Sequence, residues 1–556
     1  MRRSLSLSSL LCLGLLCGAA GCNDEAAVGG ELDMGQAPPP RAGLQITVRS
    51  SDDLMPIPAR VLVYPQPGTT APSFGSNGKG ASEYAPTVLG GTRGLFLSTG
   101  QATFAFPDGA YELVILQGPE YEQARRMISL KPEEGAVLDV TLEHSVNTAG
   151  WLAADMHIHS KVSYDGHVLS QHRVVTEVSS GVEVIVPTEH GLHYAFEKEI
   201  DALGYKQRVA TMPGSEYTFA GGHLGVYPVR YEPLEKLLGA PAWQEWPKPL
   251  DYRDTMAFPM VHSLPTDPLL VVNHPRLPPD LGYFLNTGWP HYPGEKLETA
   301  KLIDGMELLN GYQQSPAEIT AVLKDWFFLL NDGQRVTALG NSDTHMVDSL
   351  VAGYPRSYLR LPTEEPARVL PDDIRGAVRG MRAIASNGPF LQLTVDGRDI
   401  GETAVVRNGQ VRLRVTADAA SWIDLKRVMI YRNGDLIMSL PITQRTHPAL
   451  DTTVDLPVSV DGWILAVAVG ADPLPVDVIG AVKGGQVRPF AITNPIWLDV
   501  DGDLQIKPPG GVPRPDPYAN LIGGLIITDD PPRLWESQSL HTPLDCEPSE
   551  LPEWLR

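Results

Sequence analysis

The chain has 556 residues, of which 43% are hydrophobic, and its formal net charge is −22 at pH 7. This length exceeds one ordinary domain and suits two to four, and the apolar content is ample for packed cores. The acidic balance disfavours nucleic acid and anionic lipid as general electrostatic partners, although a metal cluster could still attract an anionic substrate. We therefore expect a small-molecule substrate and no nucleic-acid partner. Nothing in the pattern indicates an oligomeric state.

The first 21 residues predict a secretory signal. Arg2 and Arg3 precede an apolar segment from Leu5 to Ala20, and small residues stand directly before Cys22. The apolar run is too short and too weakly flanked for a stable membrane span. A cysteine directly after small residues resembles a bacterial lipoprotein box, which implies export and a lipid anchor at Cys22 in the cell envelope. Ordinary secretion with cleavage nearby is the alternative.

Composition changes along the chain predict further regions. Residues 22–42 are rich in Gly, Ala, Pro and acids and predict a flexible tether. Residues 43–146 alternate apolar and polar residues between turn signals, and this pattern resembles carboxypeptidase-regulatory-like or transthyretin-like β-sandwiches. Residues 391–505 return to such alternation, with a hairpin signal at Asn433-Gly434, and predict a C-terminal β-sandwich. Residues 506–556 are Pro-rich and predict an irregular tail.

The central region, residues 147–390, has a different character because apolar strands alternate with helical patterns. Repeated strand–helix units predict an α/β fold around a parallel sheet, either closed or open. Residues 231–270 are heavy in Pro and Trp and look like an insertion that could act as a lid. The clearest predicted elements are helices over Leu169–Gly181 and Ala317–Leu330 and strands over Val182–Pro187 and Arg335–Leu339.

Histidine is concentrated in this central region, where 11 of the 14 histidines fall between positions 150 and 350. His157 and His159 end one predicted strand. Alternate residues of a strand share one face, so both imidazoles can point at one metal ion. The ends of four further predicted strands also carry imidazole or carboxylate. These further groups are Glu189 with His190, Glu216, His274, and Asp343 with His345.

The donor types indicate a metal centre. In barrel-type α/β folds, functional groups gather at the C-terminal ends of parallel strands. Imidazole and carboxylate are the ligand set of divalent zinc, manganese or iron, and thiolate ligands are absent from the cluster. Solubility does not require such clustering of histidine, whereas a metal centre would explain it.

The ordered motifs resemble the polymerase-and-histidinol-phosphatase (PHP) superfamily of metallohydrolases, and more closely its carbaryl-hydrolase-like exported branch. Ser386–Phe390 and Ala491–Ile496 also resemble that branch, and the resemblance covers roughly residues 150–505. It implies a distorted (β/α)7 barrel over 147–390, flanked by the two β-sandwiches. The motifs are His-Ile-His at 157–159, Thr-Glu-His at 188–190, Gly-Ser-Glu at 214–216, Gly-His at 222–223, Asn-His-Pro at 273–275 and Ser-Asp-Thr-His at 342–345.

The resemblance also implies a set of ligands for two or three divalent ions of Zn, Mn or Fe. This chain departs from the family at Glu189, where an Asp is usual, which puts the supporting role of that carboxylate in doubt more than the ligand role of His190. The first ion would be held by His157, His159, Glu216 and Asp343, the second by Glu216 with His223 and His274, and the third by Asp165, His190 and His345.

The function implied by this resemblance is hydrolysis of a phosphoester or related ester bond by a metal-bridged hydroxide. Carbamate or amide hydrolysis on the same centre is the alternative, because the ligands do not separate these reactions. Two alternatives belong to other functional classes. One is a non-catalytic surface lipoprotein that binds a ligand or partner, and the other is a protein in which the metal has a structural role. Arg276 is a candidate for gripping an anionic group, with a surface ion pair as the alternative, and His193 is a candidate proton donor to the leaving group.

Overall fold

The computed structural model describes the chain over residues 41–72, 88–90, 94–132, 134–219, 221–240, 264–278, 281–287, 302–347, 349–480, 486–510 and 513–521. The predicted signal, Cys22 and residues 23–40 of the tether therefore lie outside the described residues. So do residues 241–263 of the predicted lid and residues 522–556 of the predicted tail.

The described N-terminal strands pair into two sheets around a shared apolar core. Along the strands, apolar side chains such as Ile46, Phe104 and Leu113 point inward, because alternate residues of a strand face the same side. The strands are β1 (Arg41–Ser50), β2 (Ala59–Pro65), β3 (Val88–Gly90), β4 (Gly94–Leu97), β5 (Gln101–Pro107), β6 (Gly109–Leu116), β7 (Ala124–Leu130) and β8 (Ala136–Leu142). Their sheet orders are β5-β1-β8 and β3-β4-β2-β6-β7.

The central region alternates strands with short helices. Its strands are β9 (Leu152–Ile158), β10 (Val184–Pro187), β11 (Ala210–Thr211), β12 (Ser215–Phe219), β13 (Gly222–Tyr227), β14 (Leu269–Val272), β15 (Gly305–Asn310), β16 (Thr337–Asn341), β17 (Arg356–Leu359) and β18 (Ala383–Ser386). Its helices are α1 (Ser170–Val178), α2 (Glu197–Leu203), α3 (Tyr283–Thr287), α4 (Pro316–Asn331) and α5 (Pro371–Arg379), with 3₁₀ turns at Lys236–Gly239 and Pro366–Arg368.

The C-terminal strands continue the central architecture. They are β19 (Phe390–Val395), β20 (Thr403–Val405), β21 (Gln410–Asp418), β22 (Arg427–Arg432), β23 (Asp435–Pro441), β24 (Leu450–Pro457), β25 (Gly462–Val469), β26 (Phe490–Thr493) and β27 (Ile496–Asp499), with a short helix α6 (Val476–Ile479). The hairpin predicted at Asn433-Gly434 is confirmed: it joins β22 to β23, and both residues have the positive φ that such a turn requires.

Three sheets are built from the central and C-terminal strands. The largest runs β11-β10-β9-β17-β18-β26-β25-β22-β23, with β27 pairing β25 and β20 pairing β27. The second, which we call the hairpin sheet, runs β12-β13-β14-β15-β16, and the third runs β19-β21-β24. The large sheet therefore continues from the central region into the region where a separate C-terminal sandwich is expected from the sequence.

The fold is a mixed α/β arrangement made mostly of sheets with few helices. The predicted (β/α)7 barrel is not supported, because the described strands pair into open sheets that mix parallel and antiparallel neighbours. Strand β17 runs antiparallel to β9, and β12 and β13 form a tight hairpin. A hairpin connection leaves no room for the helix that a parallel βαβ unit needs.

Local sequence explains the longest helix. Pro316 stands at the first turn of α4, and Ser315 and Glu318 form a reciprocal capping box at its start. Helix α1 lies within the predicted Leu169–Gly181, and Gly181 has the left-handed φ of +76° expected after a helix end. Among the residues that the structure describes, the helices fall short of the length and apolar character needed to cross a membrane.

The large sheet and the hairpin sheet meet at two isolated bridges, which together we call the seam. One bridge joins Ile158 to Thr344, and the other joins His190 to Glu216. The Asp343 N–H donates to the His157 carbonyl oxygen at 2.8 Å, which fixes the ends of β9 and β16 beside each other. The seam therefore collects the ends of strands from both sheets.

Candidate metal centre

The structure brings all nine predicted metal ligands together at the seam. They form four overlapping groups of histidine and carboxylate side chains that could hold metal ions, with the donor atoms of each group within 4.8 Å of one another. Most of these side chains are buried, and Asp165 and His345 are half-buried. The groups are His157 with His159 and Asp343; His157 with Glu216 and His274; His190 with Glu216 and His223; and His159 with Asp165, His190 and His345.

The first group has the spacing of ligands around one small cation. The Nε2 atoms of His157 and His159 lie 3.2 Å apart, and each lies 3.3 Å from Asp343 Oδ1. Four ligands with bonds of about 2.0–2.1 Å to a tetrahedral ion stand about 3.3 Å from one another. Glu216 approaches the same place, with Oε1 at 3.2 Å from His157 Nε2 and Oε2 at 3.3 Å from His159 Nε2.

Glu307 fixes the orientation of His157 and was not singled out from the sequence. Its Oε1 lies 2.8 Å from His157 Nδ1 and accepts from Asn341 Nδ2 at 3.0 Å, while its Oε2 accepts from the His274 backbone N–H at 2.7 Å. A histidine that donates Nδ1–H to a carboxylate presents the lone pair of Nε2. That lone pair points at two carboxylate oxygens, an arrangement that a cation between them would stabilise. A carboxylate within the apolar run of β15 was the available sequence signal.

We expect Glu307→Gln to weaken metal binding by about 10- to 100-fold, because loss of the carboxylate frees the ring of His157 and lowers its basicity. The measurement is competition for zinc with a coloured chelator at fixed pH. Glu134→Gln is the control, since Glu134 is an exposed carboxylate that pairs with Lys131. Equal zinc affinity in the two variants would contradict a supporting role for Glu307.

Glu216 belongs both to the group with His157 and His274 and to the group with His190 and His223. Glu216 Oε1 lies 3.1 Å from His223 Nδ1 and 3.3 Å from His274 Nε2, and it accepts from Asn273 Nδ2 at 2.9 Å. The hairpin explains the pairing: Glu216 stands opposite Gly225, so His223, two residues away on the partner strand, projects from the same face. One carboxylate therefore contacts the imidazoles of both groups.

The group that contains Asp165 and His345 forms the more exposed edge of the centre. Asp165 Oδ2 lies 3.0 Å from His190 Nε2 and 3.2 Å from His345 Nε2. The side chains of Asp165 and His345 are 33% and 15% exposed, whereas that of Glu216 is 1% exposed. Among the described ligands, Asp165 and His345 are therefore more accessible to solvent than Glu216.

The electrostatics of the cluster favour added positive charge. Burial lowers the pKa of His157, but the carboxylates of Asp343 and Glu216 outweigh this effect and raise it well above its ordinary value. Burial also opposes the shift at His345, where the hydrogen bond to Asp165 raises the pKa to about 9. The pKa of Glu216 is held well below its ordinary range, against burial, mainly by His157. Protons on imidazoles and divalent cations compete to supply this positive charge.

Glu189, the residue that departs from the family pattern, supports a loop. Its carboxylate accepts from the backbone N–H groups of Ser160 and Ser163 and from the Ser160 hydroxyl. The Ser163 hydroxyl donates in turn to Asp165 Oδ1 at 2.9 Å. Burial raises the pKa of Glu189 to about 7. The longer glutamate thus holds the segment that carries Asp165.

The two residues predicted to act on substrate have other partners in the structure. Arg276 forms a two-pronged ion pair with Asp325 on α4, with Nη2 at 2.8 Å from Oδ1. The Nδ1 of His193 donates to the Arg230 carbonyl oxygen at 2.7 Å, and its Nε2 lies 2.8 Å from the Tyr217 hydroxyl. Burial lowers the pKa of His193 to about 4, so its ring is neutral near pH 7.

Comparison with known proteins leaves the family open. Neither a family model nor a curated protein matches this chain. Among solved structures, a cycloisomaltooligosaccharide glucanotransferase from Paenibacillus sp., complexed with cycloisomaltoheptaose, is similar at 11% identity with a TM-score of 0.11. The match covers 79% of this chain and 67% of that chain. A TM-score this low carries no inference about fold or activity.

Proposed function

We propose that this chain is a metal-dependent hydrolase that acts on a phosphoester or related ester bond. The observation that carries the proposal is the near-equilateral spacing of 3.2–3.3 Å among His157 Nε2, His159 Nε2 and Asp343 Oδ1. This group shares His157 with one neighbouring group and His159 with another, and this overlap supports a centre with more than one ion. The motif order that resembles PHP metallohydrolases is consistent with the same reaction.

Bound divalent cations would acidify a water molecule near neutral pH and offset the charge that develops on the scissile group. The protein contributes by holding the candidate ligand side chains in position. Glu307 holds the ring of His157, and Glu216 contacts histidines from both sheets.

The backbone at two of the candidate ligands is strained. His274 and Asp343 have φ values of +26° and +52°, in the left-handed region that is costly for residues other than glycine. Strain of this kind gathers at sites where the backbone is set by function.

A carbamate or carboxyl ester is the second candidate substrate, and one observation favours it. The guanidinium of Arg276 is engaged by the buried carboxylate of Asp325, so its charge is already neutralised. A phosphate ester carries negative charge that a free arginine would help to bind, whereas an uncharged carbonyl substrate has no such need.

The test begins with metal analysis of protein purified without added metal. We expect at least about one transition ion per chain, since the donor set is that of Zn, Mn or Fe sites. The protein is then screened, with each of these metals, against phosphomonoesters, phosphodiesters, carboxyl esters and carbamates. Bound metal with turnover of one ester class is the expected result. Absence of both metal and turnover after reconstitution would favour a non-catalytic binding protein.

A further inference from the structure

Tyr312 lies at the exposed edge of the metal centre and takes no part in the ligand groups. It follows the end of β15 by two residues, and its hydroxyl oxygen is 3.5 Å from Nδ1 of His345. The side chain is half-buried. A phenol ordinarily keeps its proton near neutral pH, so the hydroxyl can donate a hydrogen bond.

The turn that carries Tyr312 is fixed by close packing. The Tyr312 backbone N–H donates to Asn310 Oδ1 at 2.9 Å, and Asn310 Nδ2 donates to Glu307 at 2.8 Å. Between them, Gly311 packs so closely that an added Cβ would lie 2.0 Å from the Ser342 carbonyl oxygen. The position of the phenol is therefore tied to the same residues that orient His157 and precede Asp343.

The hydroxyl hydrogen of Tyr312 is not taken up by His345. Nδ1 of His345 lies 2.9 Å from the backbone carbonyl oxygen of Asp343, and a carbonyl can only accept, so Nδ1 carries the proton of that hydrogen bond. A protonated Nδ1 cannot accept a second hydrogen from the phenol, and a separation of 3.5 Å is at the outer limit of hydrogen bonding. At His345, the described neighbour within hydrogen-bond range, the phenol hydrogen therefore has no acceptor, and the hydroxyl can donate to another group at this edge.

We propose that Tyr312 is a catalytic residue that donates a hydrogen bond from its hydroxyl to the oxygen of the departing group. This inference rests on the proposed hydrolase function. His157 and His274 are buried, whereas the edge at Asp165 and His345, where the phenol lies, is the more exposed part of the described centre. We therefore place the departing group at this edge.

In the reaction, the bond from the phosphorus or carbonyl carbon to the leaving oxygen breaks, and its electron pair moves onto that oxygen. Water supplies the oxygen that replaces the departing group and the proton that the departing group finally takes up. A donor placed at the leaving oxygen stabilises the negative charge that grows there in the transition state. The benefit is largest for a leaving group that holds its charge poorly.

The experiment compares Tyr312→Phe with the wild-type chain on phenyl and 4-nitrophenyl esters of the same acid, chosen from the class that the wild type hydrolyses. We expect kcat/KM for the phenyl ester to fall about 100-fold, the usual effect of removing one such donor. The 4-nitrophenyl ester should lose less than about fivefold, because its nitro group already spreads the charge. Tyr121→Phe is the control: it removes the same atom from the N-terminal region, where it lies 3.3 Å from Ser50 Oγ.

Metal content and thermal unfolding of Tyr312→Phe supply readouts besides activity, and both should match the wild type. Equal losses on the two esters, or no loss on either, would overturn the assignment of Tyr312 while leaving the hydrolase proposal intact. A lower metal content in Tyr312→Phe would make the residue a structural support and would also overturn the assignment. If the wild-type chain hydrolysed none of the phosphomonoesters, phosphodiesters, carboxyl esters and carbamates with any metal, the proposed function itself would be contradicted. The assignment of Tyr312 would fail with it.

Discussion

Glu216→Gln should lower turnover by at least about 10³-fold, because a ligand charge in a metal centre is worth several kcal/mol of transition-state stabilisation. Glu216 contacts His157 and His159 of the first group and also His223. A glutamine keeps the shape of the side chain but removes the negative charge that the imidazoles share. We therefore expect both kcat and the number of bound ions per chain to fall, as measured by steady-state kinetics and metal analysis.

His447→Ala is the matched control for this variant. His447 lies outside the cluster, where its Nδ1 is 3.0 Å from Asp418 Oδ1, and its removal should leave metal content unchanged. If Glu216→Gln and His447→Ala lost metal equally, the ligand assignment would be wrong. If Glu216→Gln kept its metal but lost turnover, the charge of Glu216 would matter for the reaction more than for binding.

Arg356→Met should destabilise the protein by about 3–5 kcal/mol, the usual cost of leaving one partner of a buried ion pair without the other. Nη1 of Arg356 lies 3.0 Å from Glu120 Oε1, and the two side chains are 0% and 7% exposed. The same guanidinium donates to the Ser180 carbonyl oxygen at 2.6 Å. Burial lowers the pKa of Arg356, but the Glu120 carboxylate outweighs it and raises the pKa above its ordinary value. The measurement is urea unfolding at fixed metal concentration.

The control for Arg356→Met is Arg412→Met, which breaks the pair with Asp455 in which both side chains are largely exposed. Water screens that pair, so the urea midpoint of Arg412→Met should not differ measurably from that of the wild type. The double variant Glu120→Gln/Arg356→Met should recover part of the lost stability, because the neutral amide no longer needs a buried countercharge. A single variant as stable as the control would show that Glu120 finds another partner.

The clustering of the candidate ligands could be predicted in part from the sequence, because some of its signals are local. A histidine pair at the end of an apolar strand needs only the period of two residues per strand to place both rings on one face. Helix α4 could also be predicted from the sequence, because its apolar run and its start lie within one short segment. Ligands from distant segments, such as Glu216 and Asp343, were grouped through the order of motifs, and the structure brings them within contact of His157.

The other features of the site and the fold could not be predicted, because they depend on contacts between segments far apart in the chain. Glu307 lies inside an apolar strand, and its role appears only when β15 stands beside His157. Arg276 could not be assigned from sequence because its partner, Asp325, is 49 residues away. The barrel expectation failed for a similar reason. Strand–helix alternation does not specify whether β17 pairs antiparallel with β9, and this antiparallel pair departs from the parallel order of a (β/α) barrel.

The seam between the large sheet and the hairpin sheet has a consequence for how stability and chemistry are linked. At the seam, the bridges Ile158 with Thr344 and His190 with Glu216 join strand ends of the two sheets beside the candidate ligands. An ion shared by His157 and Glu216 would act as a cross-link, in the way that a disulfide joins two segments. Its binding energy would then count toward folding. Chelation would remove this added link between the strand ends, so we expect the metal-free protein to be cleaved faster by a protease than the metal-bound protein.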